Sequence, residues 1–213
     1  MNGIEKITAR IQADAEEEIR QIQAQAQEQA EAILKQGEAQ AAATAEEILR
    51  RFYQHHGWFY IVAWNRLYHR SLLQVPAFPV GKWHEDEFTA AQLVWGAGRV
   101  ASIAYPGYNY VTIRQGSIMG SAEDPRHLDA LEALLERYRF YRSIGQTALL
   151  HETQARVLKA LETYDWADRS NDPCYDKKMK WLRREYGRLE GLSLKERLKW
   201  MLLRVSPGLE QRL

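Results

Sequence analysis

The sequence predicts an α+β chain that is mostly helical: a long N-terminal coiled-coil helix, then short strands plus helices, then a C-terminal helical tail. Three observations predict it. Residues 3–51 hold no Pro and no aromatic residue, and place small or apolar residues at helical spacing. At Phe52 the composition turns abruptly aromatic. Beyond Pro125 the apolar residues again recur at helical spacing.

The first segment is rich in Ala, Gln, Glu and Ile, mostly strong helix formers. Its small or apolar positions step mainly by three, four and four. Ile4, Ala15, Ala26, Gly37 and Ile48 therefore fall one 11-residue repeat apart. That period favours a right-handed supercoil. So thin a stripe does not bury itself, and it predicts a partner helix for residues 4–48.

From Phe52 to Tyr68 come seven aromatic residues, which implies a packed core. Phe59–Trp64 reads as a short buried strand or the start of a helix. Glu85–Trp95 reads as a helix ended by Gly96 and Gly98. Val100–Tyr105 alternates and reads as a strand closed by Pro106-Gly107, and Tyr108–Ile113 as a second strand before a Gln115-Gly116-Ser117 turn. His127–Leu150, Thr153–Tyr164, Asp176–Arg188 and Ser193–Arg204 read as amphipathic helices. Asn171-Asp172-Pro173 is a break, Pro207-Gly208 ends the last helix, and Ser193 with Glu196 has capping-box spacing. The predicted domains are thus 1–51, 52–125 and 126–213.

A chain of 213 residues suits one domain plus an extension. The net charge of +1 points to no nucleic acid, but the charge is uneven. Residues 1–50 carry ten acids and five bases, and residues 176–213 carry eleven bases and five acids. Cys174 is the only cysteine, which excludes an intrachain disulfide and fits a reducing cytoplasm. The polar, acidic N-terminus does not read as a signal peptide, and no apolar run approaches the roughly 20 residues that span a bilayer.

Glu85, Asp86 and Glu87 are the candidate chemistry. Three adjacent carboxylates are costly to bury unpaired, so the cluster is a solvated helix start or a site that uses its charge. In the tail, Lys177, Lys178, Lys180, Arg183 and Arg184 stand with Trp181, Leu182, Trp200, Met201, Leu202 and Leu203. Residues 177–204 would either lie on an anionic membrane surface, at its inner face, or pack on the domain with their charges solvated.

The opening MNGIEKITARIQADAEEEIRQIQAQAQEQAEAIL, with its hendecad spacing, resembles the N-terminal helix of the E subunit of A/V-type ATPases, over about 50 residues. That resemblance implies a peripheral-stalk role in proton transport. WNRLYHRSLL (64–73), FPVGKWHEDEF (78–88), YVTIRQGSIMGS (110–121) and the helical segment Leu131–Tyr141 resemble, in that order, the C-terminal half of bacterial family-2 glycosyltransferases, enzymes of the GT-A fold. This second resemblance covers residues 50–165.

It implies transfer of a sugar from a nucleotide-sugar to a glycan or lipid-linked acceptor, with Asp86 as the general base and a partial GT-A-like region around it. Glu85 and Glu87 would raise the proton affinity of Asp86 by like-charge repulsion. Trp64 and Trp83 would stack on a sugar face or pack in the core, and His84 would meet a diphosphate or cap a helix. The family also implies Mg or Mn with the nucleotide-sugar. No metal ligand is legible in this chain, and the strand-rich donor-binding half with its Asp-x-Asp motif is not recognisable before Phe52. Asp165-Trp166-Ala167-Asp168 has the wrong spacing for that motif. The expectation is a transferase half joined to a stalk-like helix, without donor binding of its own.

Overall fold

The computed structural model describes residues 3–39, 43–73, 78–103, 107–111, 124–165 and 172–205. Among these the chain is mostly helical, with seven α-helices and one two-stranded sheet. It divides into two compact units, Met1–Ala43 with Arg99–Pro106, and Thr44–Gly98 with Gly107–Leu213.

The first unit contains helix α1 (Gly3–Ala39). Its side chains from residue 7 to 29 are exposed, Ile7, Ile11, Ile19 and Ile22 included. Pairs one turn apart, such as Arg20–Glu17 at 2.7 Å and Gln27–Glu31 at 2.9 Å, support the helix locally. The composition predicts helix as far as Arg51, but α1 ends at Ala39 and a new helix, α2 (Ala45–Arg51), follows. The physical reason is a capping box. Thr44 is extended, its hydroxyl accepts from the Glu47 amide, and the Glu47 carboxylate accepts from the Thr44 amide at 2.7 Å. Ile48 therefore leaves the exposed stripe and is buried with Leu49 and Phe52.

Strands β1 (Ala43–Thr44) and β2 (Arg99–Val100) make the sheet, order β1-β2. Both expected longer strands are thereby corrected. Residues 101–103 and 107–111 are irregular, and a two-residue partner offers no ladder to extend. Residues 104–106 and 112–123, with the Gln115-Gly116-Ser117 turn, lie outside the described residues, as do Trp166–Asp168 and Pro207-Gly208. Phe59–Trp64 is not a strand either. A 3-10 turn spans Gly57–Tyr60, entered through His56 at φ 58°. Gly57 lies against the Phe52 and Arg51 carbonyls, where any Cβ would collide with backbone.

Helix α3 (Glu85–Ala97) ends at Gly98, whose φ of 70° suits a residue without Cβ. The expected helix 127–150 is broken. A 3-10 turn (Pro125–Leu128) leads into α4 (Asp129–Ser143), and α5 (Thr147–Asp165) begins after Gly145, at φ 72°. That left-handed glycine reverses the chain where apolar spacing alone reads as continuous. Asp172 caps α6 (Pro173–Tyr186), accepting from the Cys174 and Tyr175 amides. Ser193 and Glu196 form the expected capping box at the start of α7 (Leu194–Val205).

Helix α4 is the centre of the second unit. One side packs on α3, and the other joins α5 and α6 around Leu131, Leu135, Tyr138, Leu161, Leu182 and Tyr186. Leu135 is fully buried there. Leu135→Ala is expected to cost about 2–5 kcal/mol, read as a lowered midpoint in urea unfolding.

Candidate functional site

The three carboxylates open α3, where the positive end of the helix favours them. From there their fates diverge. Glu85 is exposed. Glu87 pairs with Arg137 of α4, whose guanidinium also donates to the Glu87 carbonyl at 3.0 Å. Arg137 is wholly buried. Burial works against its charge, but Glu87 outweighs burial and holds it firmly protonated.

Asp86 is half-buried and accepts from the Glu87 amide at 2.9 Å. Its pKa is pushed up to about 6, first by burial and then by the charges of Glu87 and Glu85. Arg66 and Tyr68 face it electrostatically. Burial pulls the Arg66 guanidinium down, partly offset by Tyr68 and Asp86, and the same burial pushes the Tyr68 phenol up. Two buried atoms next to each other in sequence have no hydrogen-bond partner, Arg66 Nη2 and Asn65 Oδ1. Asn65 spends its Nδ2 on the Phe59 carbonyl at 2.7 Å. Buried polar atoms without partners are uncommon in folded proteins, and the same holds here for Arg137 Nε and Nη1 and the Tyr141 and Tyr186 hydroxyls.

Trp64 stacks with Tyr110, ring centroids 4.8 Å apart and planes 8° apart, and with Tyr108 at 5.0 Å. Both tyrosines are about half exposed. The aromatic surface open to solvent is therefore theirs more than that of Trp64. Among the described residues no hydrogen bond or ring contact joins Trp64 to Asp86.

Trp83 and His84 serve a latch. The Trp83 amide donates to Asp129 Oδ2 at 2.9 Å, and its ring meets His127 edge-on and lies 4.1 Å below the Arg126 guanidinium. His84 occupies the N-cap position of α3 in the left-handed conformation, φ 55°, but its side chain caps nothing. Its Nε2 instead meets His127 Nδ1 at 2.9 Å. Burial, reinforced by His127, lowers the His84 pKa. Lys82 bonds Glu132 at 2.7 Å, and Lys178 pairs with both Asp129 and Glu132. Burial opposes the charges of Lys82 and Asp129, but these partners hold Lys82 above and Asp129 below their usual ranges.

Sequence reasoning placed Asp86 but missed Arg137, Arg66, Tyr68, Asp129 and His127. Arg137 had a signal: it lies three residues after Leu134 and four before Tyr141, on the apolar face of α4. Arg66 and Tyr68 sit inside a quoted motif, yet nothing in their spacing ties them to residue 86. Among the described residues no group of three or more His, Cys, Asp and Glu could hold a metal ion, so these residues alone do not fit the divalent cation that the resemblance implies. No protein-family model, curated protein or solved structure matches the chain.

The raised pKa of Asp86 makes its charge a cost to folding. The folded chain holds this proton more tightly than the unfolded one, so the contribution of Asp86 to stability is fully present below 3.8, the ordinary aspartate value, and is lost as pH rises through about 6. Asp86→Asn is expected to stabilise the protein by on the order of 1–2 kcal/mol at neutral pH and by little under acid conditions, as followed by thermal unfolding at both.

Proposed function

We propose that the chain carries the acceptor-side site of an inverting family-2 glycosyltransferase, with Asp86 as the general base. The observation that carries this is the state of Asp86: a half-buried carboxyl whose pKa of about 6 matches the task of taking a proton near neutrality. With the nucleotide-sugar supplied by a donor-binding half, the acceptor hydroxyl oxygen would bond to the anomeric carbon as its proton passes to an Asp86 carboxylate oxygen. The bond from that carbon to the nucleotide diphosphate breaks, the diphosphate leaves with the electron pair, and the configuration inverts.

Other residues divide the supporting work. Glu87 is committed to Arg137, so it tunes and positions Asp86 and is not itself free to act as base. Glu85 adds charge from the exposed side. Tyr108 and Tyr110, backed by Trp64, offer apolar area to the C–H face of a pyranose. Trp83 and His84 hold the loop before α3 through Asp129 and His127.

The full-length chain, with its Asp carboxyl carbons isotope-labelled, would be titrated with a panel of oligosaccharides and separately with UDP- and dTDP-sugars plus Mn²⁺. One or more glycans are expected to shift the Asp86 carboxyl resonance, with no saturable nucleotide-sugar binding in the micromolar range. Tyr110→Ala is expected to weaken glycan binding about tenfold, some 1.4 kcal/mol. If no glycan moves Asp86 or the tyrosines at about 10 mM, an affinity too weak for a specific site, the proposal fails.

One observation favours a second role, through α1. Ile7, Ile11, Ile19 and Ile22 are each more than half exposed on a 37-residue helix, an apolar stripe suited to another helix. This supports a stalk-like element of the peripheral-stalk type seen in A/V-type ATPases, paired along α1 and not as far as Ile48, which is buried. Ile11→Asp with Ile22→Asp is expected to abolish concentration-dependent association of the full chain in sedimentation equilibrium. A parent chain that stays monomeric at every concentration counts against pairing with itself.

A further inference from the structure

We propose that α7 lies on anionic lipid: its outward apolar stripe and basic borders fit the headgroup region of a negatively charged bilayer. The helix is tied to the body on one side. Trp200 Nε1 donates to the Arg183 carbonyl at 2.9 Å, and the Trp200 ring fills the space over Gly187. Lys199 bonds Glu162 at 3.1 Å. The other side carries Leu194, Leu198, Met201 and Leu202, exposed by 74, 51, 47 and 38%.

At 3.6 residues per turn these four form one stripe roughly 100° wide. Lys195 and Arg197, both exposed, border it on its two sides. The single acid of α7, Glu196, is turned back into the capping box with Ser193 at 2.7 Å. The outward rim thus carries positive charge alone. A helix packed on a body normally hides its apolar stripe and shows its charges, whereas α7 shows both. An apolar band edged by cations is the pattern of a helix lying flat in a membrane interface.

An acidic protein groove would match the same rim. Lipid is favoured because the positive charge is broad. Residues 173–205 carry ten Lys and Arg against four Asp and Glu; Lys178, Arg188 and Lys199 are held by carboxylates, and the exposed Lys177, Lys180, Lys195 and Arg197 leave a spread of positive charge that suits a continuous anionic surface over a few point contacts. Twelve residues extend only about 18 Å, so α7 rests on a bilayer and does not cross it. No described helix is long and apolar enough to cross a membrane. The site at Asp86 plays no part in this placement.

The full-length chain would be co-sedimented with phosphatidylcholine vesicles, with or without about 30% phosphatidylglycerol, at about 0.05 and about 0.5 M salt. Binding is expected on the anionic vesicles at low salt, and at least tenfold weaker on neutral vesicles or at high salt. Leu198→Ser with Leu202→Ser, and separately Lys195→Glu with Arg197→Glu, are expected to weaken binding at least tenfold, since each basic residue near such a surface contributes about fivefold. Both pairs are surface changes, and unchanged thermal unfolding would confirm that the fold survives them. The proposal is overturned if the parent chain ignores anionic vesicles at low salt, or if both variants bind as the parent does. It is equally overturned if vesicles fail while the parent self-associates and Leu198→Ser with Leu202→Ser dissolves the assembly, which would make α7 a protein-binding face.

Discussion

A fully buried arginine fixes the geometry of the second unit. A guanidinium removed from water is tolerable only beside an opposite charge, and Arg137 has one in Glu87. Because Glu87 sits in the first turn of α3, that pairing sets where α3 begins relative to α4. A second bond, to the Glu87 carbonyl, removes the remaining freedom of the turn. Phe52 covers the guanidinium, with its ring centroid 5.2 Å from the arginine carbon, and so draws α2 into the same joint. Nε and Nη1 of Arg137 have no hydrogen-bond partner. The joint thus carries a desolvation cost that is offset mainly through a single carboxylate.

Asp86 inherits its character from this joint. Glu87, held in place by Arg137, keeps a negative charge close to Asp86, and partial burial keeps that carboxyl from full hydration. On the approach to α3, the Lys82–Trp83–His84 segment is pinned to α4 and α6 through Asp129, Glu132, His127 and Lys178. The first turn of α3 is thereby constrained from both ends. A carboxyl with a shifted proton affinity needs such constraint, because a mobile turn would let it swing into water and return to an ordinary value.

The sequence made the helical elements legible where local chemistry decides them. Glu85 to Gly98, Asp172-Pro173 and Ser193 with Glu196 each carry their own cap or terminator, and the structure follows them. It was less legible where one residue interrupts an otherwise consistent pattern. Thr44 with Glu47 stops the hendecad reading twelve residues early, and Gly145 divides what apolar spacing reads as one helix. The strands failed for a different reason: alternation in Val100–Tyr105 signals a half-buried surface, but a ladder needs a long partner, and β1 supplies two residues. Of the site, Asp86 was visible through its motif. Arg66 and Tyr68 face Asp86, and Asp129 holds the loop before it, only through the folded chain, and no spacing rule encodes either meeting.

The contact between His84 Nε2 and His127 Nδ1 has a consequence of its own. Two imidazole nitrogens 2.9 Å apart can share one hydrogen, with one ring donating and the other accepting. Reversing the donor requires both rings to change tautomer: the bridging hydrogen passes to the partner, the outer hydrogen leaves one ring and another is taken up by the other, and the combined charge is unchanged. The latch before α3 is therefore a tautomeric element with two states, and each state presents a different outer nitrogen as donor.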